Sequence, residues 1–371
     1  MALLALGFRP FYLLAAAFAA LAVAAWIAVF VRGLAFGYLP PVLWHQHEMV
    51  FGFALAVIAG FLLTAGRVWT GRSTPQGLPL AVLALHWLAA RVLMASGPAP
   101  LAAIVDGAFP FVLAAVMARA IVGARNARNY FVVILLCALG AADAAFHLGY
   151  GAPAVRAGLW LVMTLVVAMA ARVVPAFTAS ALPQAGVAHR PGLDRAALAA
   201  TVAAFVADLA GWVGPLVALA AVAAALHAVR QWGWKPLATL GRPILWILHL
   251  SHAWIPAGLV LLALGAAGLV APGAALHAFG AGAMGGLIAG MITRTALGHT
   301  GRPLAAGRAE TAAYVLVHLG AALRVLASLA PGPGYLPLVA LSGALWAAGF
   351  VVYFVSYAPR LAAPRVDGKP G

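Results

Sequence analysis

Apolar residues run along this chain in long blocks separated by short stretches rich in Gly, Pro and Arg. A helix that crosses a bilayer needs about 20 mainly apolar residues, because every backbone polar group must be satisfied within the segment. Twelve blocks meet that requirement, at 10–31, 43–65, 78–96, 99–122, 130–149, 153–175, 195–213, 215–231, 242–265, 272–295, 308–330 and 336–358. The pattern predicts an all-α polytopic membrane protein of about twelve transmembrane helices, forming a single domain over 1–371. Ala2 to Leu6 is too short an apolar run for a cleavable signal, so the first block reads as the first helix.

Composition removes the competing classes. Of the 371 residues 65% are apolar and 8% charged, against roughly 25% charged in a soluble domain. The formal charge of +15 raises the question of nucleic acid, but the basic residues punctuate loops and do not form a patch. With the N-terminus cytoplasmic, the inner segments hold Arg9, then Arg67 and Arg72, Arg125 and Arg128, Arg190 and Arg195, and then three residues each: Arg230, Lys235 and Arg242; Arg294, Arg302 and Arg308; and Arg360, Arg365 and Lys369. The outer loops hold only Arg32 and Arg156. That asymmetry encodes topology and places both termini inside. The partner implied is the lipid bilayer, not nucleic acid. One cysteine, Cys137, excludes an intrachain disulfide and a Cys-rich metal cluster.

The chain also resembles itself. A shift of 230 residues lays His47 on His277, Gly52 on Gly282, Ile58-Ala59-Gly60 on Ile288-Ala289-Gly290, and Thr70-Gly71-Arg72 on Thr300-Gly301-Arg302. One helix later, His86 with Arg91-Val92-Leu93 parallels His318 with Arg324-Val325-Leu326. A parallel repeat follows, with candidate units 1–125, 126–235 and 236–371; the middle one fits least well.

Polar groups inside a membrane are expensive and mark function. Counted by depth, His45, His47, His147 and His277 fall near the outer boundary, and His86, His252 and His318 near the centre, with His249 slightly inward. A lone membrane histidine is commonly helix–helix glue, whereas a cluster points to a metal, for which imidazole suits copper, iron and zinc. His45 and Glu48 share a helical face, as do His249 and His252. Asp143 and His147, at i and i+4, suit a carboxylate orienting an imidazole or a buried shared proton. Arg91 and Asp106 flank one turn and read as an ion pair, although Arg91 and Arg324 also suit anionic groups such as haem propionates. His47 and His277, at one depth on repeat-related helices, could ligate a haem between them, and His86 with His318 a second metal. The metal candidates are therefore His45, His47, Glu48, His86, His249, His252, His277 and His318. The cofactor candidates are His47, His277, His249, Arg91 and Arg324. No Cys-X-X-Cys-His stretch exists, so any haem is non-covalent.

Several stretches carry a family likeness. Gly7-Phe8-Arg9-Pro10-Phe11, Trp44-His45-Gln46-His47-Glu48-Met49 and Ala59-Gly60-Phe61-Leu62-Leu63-Thr64 resemble the NnrS family. So do Arg172-Val173-Val174-Pro175, Leu248-His249-Leu250 and Gly298-His299-Thr300-Gly301-Arg302-Pro303. The resemblance implies a twelve-helix bacterial inner-membrane protein that contains haem and copper. It also implies a role in nitric oxide metabolism and protection from nitrosative stress, with nitric oxide or a nitrosyl species as ligand; it supplies no catalytic activity and no electron donor. Two other classes stay open. A redox enzyme akin to the haem–copper oxidases would share twelve helices, but the adjacent His-His pair and the His-x-x-x-Tyr of those enzymes are absent. A proton-coupled secondary transporter would use intramembrane Asp106, Asp143 and Asp208.

Overall fold

The computed structural model describes residues 2–34 and 37–369. It is 83% helix, with no β-strand among the described residues. The long helices are α1 (Phe8–Arg32), α2 (Pro41–Thr70), α3 (Leu78–Ser96), α4 (Ala99–Ile121), α5 (Tyr130–Ala145), α6 (Gly151–Ala181), α7 (Pro191–Leu209), α8 (Val213–Gly233), α9 (Pro243–Ala266), α10 (Gly273–His299), α11 (Arg308–Leu329) and α12 (Tyr335–Ala362). Each falls on one of the apolar blocks.

Ten continuous helical segments among the described residues are long and apolar enough to cross a membrane. Two details separate that number from the twelve expected. The segment Ala127–Ala181, 55 residues long, holds both α5 and α6, which part where Gly149 (φ +99°) and Gly151 (φ +51°) take left-handed backbone conformations. Helix α7 is not among the ten; Asp194, Arg195 and Asp208 lie along it.

Helix ends follow local chemistry. Pro occupies the first turn of α2, α3, α4, α7 and α9, where a missing N–H leaves no bond unmade. Gly33 and Gly71 close α1 and α2 in the left-handed conformation.

The chain packs as two compact units. The first comprises Met1–Val162, Thr295–Pro303 and Phe354–Gly371; the second comprises Met163–Arg294 and Leu304–Tyr353. Within the first, α1 and α4 pack on α2, α3 packs on α4, and α4 on α5. Within the second, α7 packs on α8, α8 on α9, and α9 and α11 on the wide turns of α10.

Two helices carry the same irregularity. In α2 the backbone widens to a π-helix over Glu48–Ala54, and in α10 over Ala278–Met284. These stretches lie 230 residues apart at both ends, the offset of the sequence repeat. A π-turn adds a residue per turn and re-aims the side chains around it, which is why such turns gather at functional sites. A third π-turn, Phe146–Tyr150, carries His147.

Candidate metal centre

The π-turn of α2 opens beside a group of buried ionisable side chains in the first unit. His47 and Glu48 are fully buried, and Asp106, Asp143 and Arg91 nearly so. His47 presents Nδ1 to Glu48 Oε1 at 3.0 Å. Its Nε2 lies 3.0 Å from Asp143 Oδ1 and 3.1 Å from Asp106 Oδ2. His147 Nε2 approaches the same two carboxylates, at 3.1 Å from Asp106 Oδ2 and 3.7 Å from Asp143 Oδ1. Arg91 donates from Nη1 to Glu48 Oε1 at 2.7 Å and from Nη2 to Asp106 Oδ1. Phe51 and Phe146 wall His47 with ring centroids 5.0 and 4.3 Å away.

The hydrogen-bond inventory restricts what this arrangement can be. Ionised carboxylates only accept, and a neutral imidazole has one donor nitrogen. Glu48 takes the His47 Nδ1 proton, so Nε2 is a lone pair facing Asp106 and Asp143 in a neutral ring and a second donor to them in an imidazolium. One donor atom each from His47, Asp106, Asp143 and His147 lies within 4.8 Å of all the others. A positive centre must sit among them, either protons or a metal ion. The charge sum agrees: three carboxylates against one guanidinium leave two negative charges, which a buried site cannot hold uncompensated. A divalent cation would cancel them.

The spacing fits as well. Four ligands about 2.0–2.1 Å from a tetrahedral ion lie ~3.3 Å apart, and the nitrogen–oxygen separations here bracket that value. Two imidazoles and two carboxylates suit a first-row divalent ion. Glu48 and Arg91 stand behind the ligands, fixing the His47 tautomer and one Asp106 oxygen. Glu48 Oε2 and Asp143 Oδ2 are buried without a hydrogen-bond partner, so the cluster has unused acceptors. Gly52 makes room for it: a Cβ there would lie 3.0 Å from both Arg91 Nη1 and Glu48 Oε2.

Of the residues singled out in the sequence, this centre gathers His47, Glu48 and Arg91. It adds Asp106, Asp143 and His147, which were read as an ion-pair partner and an orienting pair. The Arg91–Asp106 pair is present as expected. A usable signal for the rest was scarcity: the chain has only seven acidic residues, and three of them fall in apolar blocks near one depth.

The other candidates have separate surroundings. His45 stacks on Trp26 with centroids 4.2 Å apart. His86 donates from Nε2 to the Val105 carbonyl at 2.7 Å. In the second unit His277 donates from Nδ1 to the Gly273 carbonyl at 2.7 Å, which leaves Nε2 unprotonated. His249 Nε2 meets Thr178 Oγ1 at 2.9 Å, and its buried Nδ1 has no hydrogen-bond partner. His318 has both nitrogens engaged, one accepting from Trp254 Nε1 and the other facing Ser251 Oγ. His252 faces Gln231 and Arg230. Arg324 donates to Ser328 Oγ at 2.9 Å.

These features define a class: a polytopic helical membrane protein with a buried histidine–carboxylate group able to hold a metal ion. The family model for the NnrS protein matches residues 2–365, almost the whole chain, and the chain belongs to the NnrS family. Comparison with curated proteins finds no match.

Proposed function

We propose that this chain is a twelve-span protein of the bacterial inner membrane with both termini in the cytoplasm. In this reading it acts through haem and copper in nitric oxide metabolism and protection from nitrosative stress. The convergence of one possible ligand atom each from His47, Asp106, Asp143 and His147, all within 4.8 Å of one another, carries the metal part of the proposal. Copper is held there by His47, Asp106, Asp143 and His147, a nitrogen–oxygen set that suits Cu(II). The alternation of arginine-rich and arginine-poor loops supports the orientation, and the shared π-turns support a first-to-third repeat.

The haem is assigned to His277, and His47 to copper alone. His277 has its Nδ1 proton fixed on a backbone carbonyl, the arrangement that turns Nε2 outward as a ligand. His47 has Nδ1 on Glu48, and its Nε2 faces the two aspartates that would share the copper. Arg324 is the propionate partner in this reading, and His249 and His86 each keep one nitrogen for a further ligand role. Bound haem would supply an iron that coordinates nitric oxide. The residues of the chain position it, exclude water and hold the compensating charge.

Two protons would balance the first-unit charge as well as a divalent ion, and this favours a proton-coupled transporter as the second reading. One preparation separates the two. The full-length protein purified in detergent should carry copper and a Soret band. Asp143→Asn combined with His147→Ala should remove the Cu(II) of this centre, read by its electron paramagnetic resonance signal, and keep the Soret band, and His277→Ala should do the reverse. Colourless, metal-free protein would overturn the haem–copper reading in favour of the transporter.

A further inference from the structure

A second nitrogen pair lies in the second unit, outside the centre described above. His227 on α8 and His252 on α9 are both fully buried, with ring centroids 5.4 Å apart. His227 Nδ1 and His252 Nε2 face each other at 3.4 Å. Their surroundings determine which protons they carry. Gln231 donates its amide N–H to the His249 carbonyl at 2.8 Å, so its Oε1 must accept from His252 Nδ1 at 2.6 Å. The hydroxyl proton of Thr201 goes to the Ala197 carbonyl at 2.7 Å, so Thr201 Oγ1 accepts from His227 Nε2 at 2.9 Å. Each imidazole has thereby placed its single proton on the far side. The two nitrogens that face each other are both lone pairs.

Two lone pairs 3.4 Å apart repel, and a cation drawn between them would turn that repulsion into attraction as the rings part to hold it in line. Among the described residues the donor at the pair is Arg230, whose Nη2 lies 3.0 Å from His252 Nε2. It is poised to leave. Its Nε and Nη1 are buried without a hydrogen-bond partner, and Nη1 is 3.6 Å from Asp194 Oδ1, within reach of a tighter pair. Trp234 lies against the guanidinium at 4.9 Å and holds its plane.

We propose that His227 and His252 form a second metal site, which binds a soft monovalent cation as Arg230 shifts onto Asp194. Charge selects the valence. The guanidinium and the Asp194 carboxylate cancel, and two neutral imidazoles add nothing, so a divalent ion would leave two uncompensated charges and a monovalent ion only one. Soft monovalent ions that favour imidazole nitrogen over carboxylate oxygen are the cuprous and silver ions. This site uses none of the first-unit ligands and stands or falls separately from them.

Silver ion tests it. Titration calorimetry would use the full-length protein in detergent and chloride-free buffer, in a Cys137→Ser background, because the exposed thiol binds silver itself. One silver ion should bind per chain, and His227→Ala or His252→Ala should weaken it by about 100-fold or more. Asp143→Asn with His147→Ala should leave that binding unchanged. Arg230→Gln removes the competing donor and the adjacent positive charge, so it should tighten silver binding by about tenfold. A purely structural role for Arg230 predicts weaker binding in that variant. Binding that survives loss of either histidine, or that fails to tighten in Arg230→Gln, would overturn the proposal.

Discussion

Helices α2 and α10 share a shape and differ in chemistry. Each widens into a π-turn of seven residues, each places a histidine just before it, and each leaves a glycine at the fifth position. In α2 the residue after the histidine is Glu48, and in α10 it is Ala278. That one difference changes the whole neighbourhood. His47 lies among three carboxylates that require Arg91, whereas His277 donates to a backbone carbonyl, and Arg324 pairs with a serine hydroxyl. The same backbone irregularity thus accompanies a charged site in one helix and a nearly neutral imidazole in the other. The π-turn sets direction, and the side chains set chemistry.

The largest contrast between the two helices should come from removing the arginines. Arg91→Met would leave Glu48 and Asp106 buried without their cation, a loss of about 3–5 kcal/mol. Arg324→Met gives up a hydrogen bond to a neutral partner and should lose only about 1 kcal/mol. Unfolding of the purified variants in one detergent measures both, and equal losses would break the comparison.

The glycines give a smaller and more selective effect. An alanine Cβ at Gly52 would press on Phe18 at 2.8 Å and on the Arg91–Glu48 pair at 3.0 Å, and one at Gly282 would lie 2.5 Å from the Trp254 ring. Overpacking of this kind costs about 1–3 kcal/mol in each case. Only Gly52→Ala should also lower metal content, since only there does the clash fall on the residues behind the ligands. Elemental analysis of the two variants distinguishes them.

The helices were legible in the sequence because lipid imposes length and apolarity on every crossing segment; α3, for example, occupies 78–96, as its apolar block does. The Arg91–Asp106 pair was legible too, since one short turn brings the two ends together. The π-turns were not, because no residue pattern distinguishes Glu48–Ala54 from an ordinary helix. Nor was the meeting of His47 with Asp143, 96 residues away, which depends on how α2 and α5 converge. Histidine depth alone could not separate His318, with both nitrogens engaged, from His277, with one nitrogen left unprotonated.

The most direct test of the central claim is the X-ray absorption spectrum of metal bound to the purified wild-type protein and to His47→Ala. The account predicts a mixed nitrogen–oxygen shell at about 2.0–2.1 Å with imidazole scattering, diminished or lost in the variant. A spectrum without imidazole scattering, or one identical in His47→Ala, would contradict it.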